Sequence, residues 1–372
     1  MPTNIVVCCD GTANEFAKDR TNVIKLYATL EQDPAMQVAY YHPGIGTMEP
    51  FGSLNPFTRR LARLLGMAVG YGLENDIRDA YVFLMKTYQA GDSIFLFGFS
   101  RGAFTVRAVA SLLAMYGMLR EGNETLVPYA IRMLMGIQRA ERDARAKDQY
   151  FELAREFKRI MSYTNPRLQF VGLWDTVSSV GWLENPLHLP YESNNPYIEI
   201  GRHAVSIDER RAFFRSHLWQ PPKVPGTPSG PRDVLQVWFP GVHCDVGGGY
   251  PEAESGLSKI ALDWMLQEAK WAGLRVDPAK ENEVLGRSET SAPNPAAGMH
   301  ESLKGAWRIA EFIPKKHYNW KTRQWEHRMN LFRRRTIPPG SLVHESAYKR
   351  GTAYQKLLPA GATAIATRKQ TA

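Results

Sequence analysis

Cysteine is scarce in this chain: Cys8, Cys9 and Cys244 are the only three in 372 residues. Cys8 and Cys9 are neighbours, which an extended strand would point to opposite faces. That is no disulfide framework, and it suits a reducing compartment at synthesis. Long apolar runs are missing as well. No stretch reaches the roughly eighteen uncharged residues of a membrane span, and the N-terminus enters a strand pattern without the basic region and apolar core of a secretory signal. The expectation is a soluble protein, cytoplasmic where it is made. Internal repeats and nucleic-acid-binding motifs are lacking, and the pair His243-x-Asp245 offers too few ligands to claim a metal site. Neither nucleic acid nor a cofactor is expected as a partner. The formal net charge of +9 permits attraction to anionic surfaces, but it is a total and does not describe a patch.

What is present is a hydrophobic content of 44%, ample for one large core. Short apolar runs bounded by turn residues read as strands buried on both faces: NIVVCC (4–9), GDSIFLFGF (91–99), LQFVGLWDTV (168–177) and VLQVWFPGV (234–242). Amphipathic stretches lie between them, which predicts an α/β fold with a mostly parallel sheet and helices on both faces. A single domain is expected over 1–358, with 127–161 a charged helical pair inserted as a cap, 276–300 a long loop, and 359–372 a flexible tail. The Pro-, Asn- and aromatic-rich segments 182–200 and 217–232 read as loops at strand ends, where function is usually carried.

One strand run ends in Gly98-Phe99-Ser100-Arg101-Gly102 and passes into a helical pattern. This is the setting of a nucleophile elbow, in which glycines at both flanks allow the close turn and the serine stands clear at the strand tip. A serine nucleophile needs a base and an orienting carboxylate. Of nine histidines, His243 follows directly on a buried strand and precedes a glycine run, with His344 as the rival. Asp175 stands at the tip of the strand expected after the elbow helix; Asp245 is the alternative acid, made awkward if 243–245 is extended and both side chains share a face. The backbone N–H of Arg101 should serve as one oxyanion donor, with Gly11 in the loop after the first strand as the second. Asp10 and Asn14 in that loop read equally well as turn residues bonding their own backbone.

Five motifs in order, CCDGTANE, GFSRGAFTVR, GLWDTVSSVG, HAVSIDERRAFF and WFPGVHCDVGGGY, resemble the DUF2235 family of α/β-hydrolases, which includes the Tle1-type phospholipase effectors of bacterial type VI secretion. The likeness covers about residues 4–350. It implies an α/β-hydrolase-like core and hydrolysis of phospholipid acyl esters through a triad, with Ser100 as nucleophile, Asp175 as acid and His243 as base, and it allows for export by type VI secretion. Two departures stand out: the chain holds little beyond the hydrolase core, and Cys244 replaces the usual small residue after the histidine. Asp208 lies in one of the motifs and reads as an ion pair or cap with Arg210 or Arg211.

The expected substrate is a lipid or other carboxylic ester. The alternatives are an esterase of small molecules and a non-catalytic binding module on a hydrolase scaffold. A phosphatase using Asp10 is disfavoured because its nucleophile would have to stand where Cys8 is. The segment 304–335 mixes cations with aromatics, and two readings stay open. Lys315, Lys316, Arg333, Arg334 and Arg335 could face an anionic membrane, or the segment could be a solvated hairpin with aromatics packed inward, which is the favoured reading.

Overall fold

Alternation along the strands builds this molecule. In a computed structural model, which describes residues 3–11, 19–44, 69–139, 144–177, 181–182, 185–186, 188–220, 230–287, 291–305, 307–319 and 324–369, the apolar runs form the centre of an eight-stranded sheet. The strands are β1 (Asn4–Cys9), β2 (Gln37–His42), β3 (Ser93–Phe99), β4 (Leu168–Trp174), β5 (Ile198–Ser206), β6 (Asp233–Phe239), β7 (Leu342–His344) and β8 (Thr363–Ile365). They lie in the order β8-β7-β6-β5-β4-β3-β1-β2, and each neighbouring pair is parallel. Ile5, Val7, Cys9, Ile94 and Leu96 enter one core cluster, while Val6, Cys8, Phe95, Phe97 and Phe99 enter the other. Cys8 and Cys9 thus sit on opposite faces, both buried and unpaired.

Helices cover both faces, as a parallel sheet requires. On the Cys9 face lie α2 (Val69–Thr87) and α3 (Arg101–Tyr116). The pair α4 (Val127–Arg139) and α5 (Ala144–Met161) packs there too: Ile131, Leu134, Ile137 and Ala154 join the same cluster as Tyr81, Val109 and Leu113. The charged pair is therefore an outer layer on the sheet. On the Cys8 face lie α1 (Asn22–Thr29) and, beyond the five-residue α6 (His243–Gly247), the long α7 (Gly256–Trp271).

Three segments depart from the sequence expectation. Residues 276–300 contain a helix, α8 (Pro278–Leu285), begun by Asp277 accepting from the Ala279 and Lys280 amides and by Pro278 in its first turn. The C-terminal residues are held in the sheet: β8 pairs with β7, and Arg368 Nε donates to the buried Glu268 carboxylate at 2.6 Å. Ile198–Ser206, whose first residues fell in an expected loop, is the fifth strand. It escapes an apolar-run search because it buries Arg202 and His203, the former satisfied by Glu268 (2.6 Å) and Asp233 (2.7 Å).

Candidate active site

The C-terminal ends of β3, β4 and β6 converge on one edge of the sheet. Between β3 and α3, Ser100 takes φ 57° and ψ −119°, a left-handed conformation that costs a non-glycine residue about 1–3 kcal/mol. The flanking glycines are sterically compelled. A Cβ on Gly98 would lie 2.6 Å from the Gly102 carbonyl oxygen, and one on Gly102 would lie 2.1 Å from that of Cys9. The Ser100 amide donates to the Trp174 carbonyl at 3.0 Å, which ties the elbow to the tip of β4. Arg101 opens α3, so its amide is among those that an α-helix leaves without an intrahelical acceptor.

Directly after β4 comes Asp175, fully buried and also left-handed at φ 39°. Its Oδ1 accepts from the Ser206 amide (2.9 Å) and Arg335 Nη1 (2.5 Å). Its Oδ2 accepts from the Ser206 hydroxyl (3.2 Å), Arg335 Nη2 (3.1 Å) and His243 Nδ1 (2.5 Å). Burial alone would raise this carboxyl, but Arg335 and His243 outweigh it and hold the group well below the usual carboxylate range.

His243 follows β6 as the first residue of α6. Its ring is buried between Phe99, at 4.6 Å between centroids, and Phe214, edge-on at 4.9 Å. Phe99 immediately precedes Ser100, so the packing carries the imidazole to the elbow. Burial pushes the imidazole below its ordinary value, partly opposed by Asp175. A neutral ring that donates Nδ1–H to Asp175 keeps its lone pair on Nε2. Beneath it, Glu209 accepts from the His243 amide (3.2 Å), from Arg211 Nε and Nη2 (both 2.9 Å) and from the Ser302 hydroxyl (3.0 Å). Burial would raise Glu209; Arg211, with Arg335 and His243, overrides it and brings the carboxyl to about 2.

The other candidates lie elsewhere. Residues 243–247 are helical and not extended, and Asp245 caps that helix at the Val242 amide (3.0 Å) while accepting from His300 Nδ1 at 2.6 Å. Both ring nitrogens of His344 face hydroxyls, Ser346 at 2.8 Å and Thr367 at 3.1 Å, and burial lowers it to about 4. The Gly11 N–H, expected in an oxyanion hole, is taken by Asp10 Oδ1 at 2.6 Å, and Asp10 Oδ2 accepts from Thr21 (2.5 Å) and Tyr41 (2.9 Å). Asp10 is an anchor of its own turn, and Asn14 lies outside the described residues. Asp208 accepts from the Gly241 amide at 2.8 Å and from the Tyr354 hydroxyl, and pairs with Arg334 at 3.1 Å in place of Arg210 or Arg211. Among the described residues no group of three or more His, Cys, Asp or Glu could hold a metal ion.

Sequence reasoning missed Arg335, Ser206, Glu209 and Phe214. Three of these stand in or beside the HAVSIDERRAFF motif, which was visible without a role; Arg335 carried no signal at all. One of the two open readings groups it with four other cations against a membrane, whereas Arg335 is drawn in to the buried Asp175 and Arg334, itself exposed, pairs with Asp208. Arg333 is exposed, and the side chains of Lys315 and Lys316 are outside the described residues. Their strands, Lys315–Asn319 and Gln324–Arg328, pair antiparallel as a hairpin. Trp307, at the start of the segment, packs on Phe214 at 5.3 Å.

Residues 3–268 match the family described as type VI secretion phospholipase effector Tle1-like, catalytic domain. An uncharacterised protein of Saccharomyces cerevisiae is 39% identical over 233 residues, which is 60% of this chain and 33% of that protein. Among solved structures, an uncharacterised protein from Pseudomonas aeruginosa has 20% identity and a TM-score of 0.45, over 78% of this chain and 49% of its own. The Tle1 effector bound to the VgrG spike of the type VI secretion system has 18% identity and a TM-score of 0.34, over 69% and 52%. This chain spans about a third of the yeast relative and about half of each solved chain. With most of its length matched, the chain belongs to the family of Tle1-like catalytic domains of type VI secretion phospholipase effectors.

Proposed function

We propose that this domain hydrolyses acyl esters of phospholipids through Ser100, His243 and Asp175. The observation that carries the reading is the buried 2.5 Å bond between Asp175 Oδ2 and His243 Nδ1, at the sheet edge where Ser100 is held in a strained elbow. His243 Nε2 takes the Ser100 proton as Oγ attacks the ester carbonyl, and returns it to the lysolipid alcohol as the C–O bond breaks. An acyl-serine results. Water, deprotonated by the same Nε2, attacks the acyl carbonyl, releasing the fatty acid and restoring Ser100. The Arg101 amide and the N-terminal end of α3 stabilise the oxyanion. With the Gly11 amide bound to Asp10, a second donor from the first loop is not part of the proposal. Asp175 keeps the imidazole in the tautomer whose Nε2 accepts, and stabilises the imidazolium that forms.

Because burial depresses His243, the base stays neutral further into acid than an ordinary histidine, and the acid limb of kcat/KM should fall below about pH 6.5. Contact with an anionic membrane and delivery by type VI secretion belong to the same proposal. Among the described residues no helix is long and apolar enough to cross a membrane. The test is to incubate the full chain with mixed phospholipid vesicles and with short-chain esters, and to identify products by mass spectrometry. Fatty acid and lysolipid released by the parent and not by Ser100→Ala support the reading. Cleavage of short esters alone would make the domain a small-molecule esterase, and no cleavage of either would make it a binding module.

A further inference from the structure

Two arginines beside the candidate site lack what buried arginines normally have. Arg215 Nε and Nη2 and Arg328 Nε are buried without a hydrogen-bond acceptor, although such donors are nearly always satisfied in folded proteins. Among the described residues neither guanidinium forms an ion pair with a carboxylate. The stretch after Arg328 packs on the stretch before Arg215, Arg210 Nε donating to the Phe332 carbonyl at 3.0 Å, and burial, reinforced by the charge of Arg328, brings Arg215 down to about 10. Two like charges drawn together with orphaned N–H groups are an arrangement that an anion would relieve.

Position says which anion. Phe214, the residue before Arg215, packs on the His243 ring at 4.9 Å, and its carbonyl is held by Arg335 Nε at 2.9 Å. Ser216, the residue after, bridges to Val177, and the His217 amide donates to the Thr176 carbonyl at 2.9 Å, so Arg215 lies along the segment that continues from Asp175. Arg328 ends the second strand of the hairpin, two residues before Asn330, whose side chain donates to the Arg210 carbonyl at 2.7 Å. In a glycerophospholipid the phosphate-bearing carbon adjoins an ester-bearing one. A phosphate bound beside the scissile ester therefore has to lie close to the base, and guanidinium groups match phosphate oxygens in charge and in paired donors.

We propose that Arg215 and Arg328 form a subsite for the headgroup phosphate of the substrate lipid. This rests on the phospholipid reading and gives it a residue-level specificity: the same acyl ester without a phosphate would lose this contact. The subsite gives Arg328 a local role and does not need the whole of 304–335 to lie on a membrane.

The test compares phosphatidylglycerol with diacylglycerol of the same acyl chains in mixed micelles, using the full chain, Arg215→Gln, Arg328→Gln and the double variant. The expected result is a loss of kcat/KM on phosphatidylglycerol at least tenfold greater than the loss on diacylglycerol, with Arg215→Lys intermediate. Inhibition of short-ester turnover by glycerol 3-phosphate should weaken at least tenfold in the double variant. Equal losses on the two lipids would overturn the subsite even if the protein proves to be a phospholipase. Sensitivity to inorganic phosphate but not to the lipid headgroup would assign the arginines to a free anion and overturn the headgroup role. If the parent cleaves no phospholipid, the phospholipid reading fails and the headgroup subsite with it; arginine-dependent inhibition by glycerol 3-phosphate would then leave only a phosphate site of another ester substrate. Thermal unfolding of each variant separates misfolding from loss of the contact, and a well-folded double variant with unchanged lipid preference is decisive against the proposal.

Discussion

The short helix α6 carries one member of each of two Asp–His pairs, and they make nearly the same bond. His243 Nδ1 meets Asp175 at 2.5 Å, and His300 Nδ1 meets Asp245 at 2.6 Å. Their second nitrogens differ. His300 Nε2 is bound to Glu254 at 2.8 Å and the ring stacks on Tyr250 at 3.6 Å; burial would lower His300, but Glu254 and Asp245 outweigh it and raise it above its ordinary value. Among the described residues the His243 ring bonds one carboxylate, Asp175; it has deeper burial and aromatic walls, and it moves the other way. An Asp–His bond is therefore not itself the mark of a base. What distinguishes His243 is an Nε2 without a hydrogen-bond partner among the described residues, a depressed imidazole at the sheet edge that holds Ser100, and a clamp on its aspartate from Arg335.

The largest difference should appear on mutating the two histidines. His243→Ala is expected to cost about a thousandfold or more in kcat/KM on a simple ester, matching Ser100→Ala, because nucleophile and base act as a unit. His300→Ala should cost far less, and a comparable loss in both would erase the contrast between the pairs. Steady-state kinetics on p-nitrophenyl butyrate reads this directly.

Next in size is the clamp. Arg335→Met leaves a buried carboxylate short of its cation, which typically destabilises by about 3–5 kcal/mol, to be measured by urea unfolding. It also has a signature that a packing defect lacks. Arg335 helps hold Asp175 below the usual carboxylate range, so its loss lets burial raise Asp175, and the acid limb of kcat/KM should move to higher pH. In the parent, the depressed Asp175 contributes stability that is present above about pH 4, the unfolded value, and is lost as pH falls through the folded one; in Arg335→Met that loss should begin at higher pH. An unchanged pH profile would reduce Arg335 to a structural filler.

The smallest effect concerns His300. Its value is raised on folding, so its contribution is fully present below about pH 6.5 and disappears as pH rises through the folded value. The ring is partly open to solvent, and screening limits the effect to about 1 kcal/mol or less. The Tm gap between the parent and His300→Gln should be widest in mild acid and close in alkali. A gap that widens with rising pH would contradict the assigned ion pair.

The legible part of this molecule was local. Gly98-Phe99-Ser100-Arg101-Gly102 after an apolar run announces a strand, a close turn and a helix, and Asp175 and His243 both stand where apolar runs stop; the structure brings those last two into contact. The inner strands β1, β3, β4 and β6 were legible because both of their faces are apolar. What stayed hidden depends on partners far along the chain. Arg335 lies 160 residues from Asp175, and nothing near it distinguishes a clamp from a surface cation. β5 carries Arg202 and His203 into the core because Glu268, Asp233 and Gln236 meet them there. The tail reads as polar and free until β7 offers it an edge and Glu268 offers Arg368 a counter-charge. Asp245 was weighed on an extended backbone, and the helix it caps turns it to His300.

In the proposed mechanism His243, and not its neighbour across α6, activates Ser100. The most direct measurement is covalent labelling with a fluorophosphonate, which reacts with an activated serine, followed by peptide mass spectrometry of the parent, His243→Ala and His300→Ala. An adduct is expected on Ser100 in the parent and in His300→Ala, with little or none in His243→Ala. Undiminished labelling of Ser100 in His243→Ala, or an adduct on another serine in the parent, would contradict it.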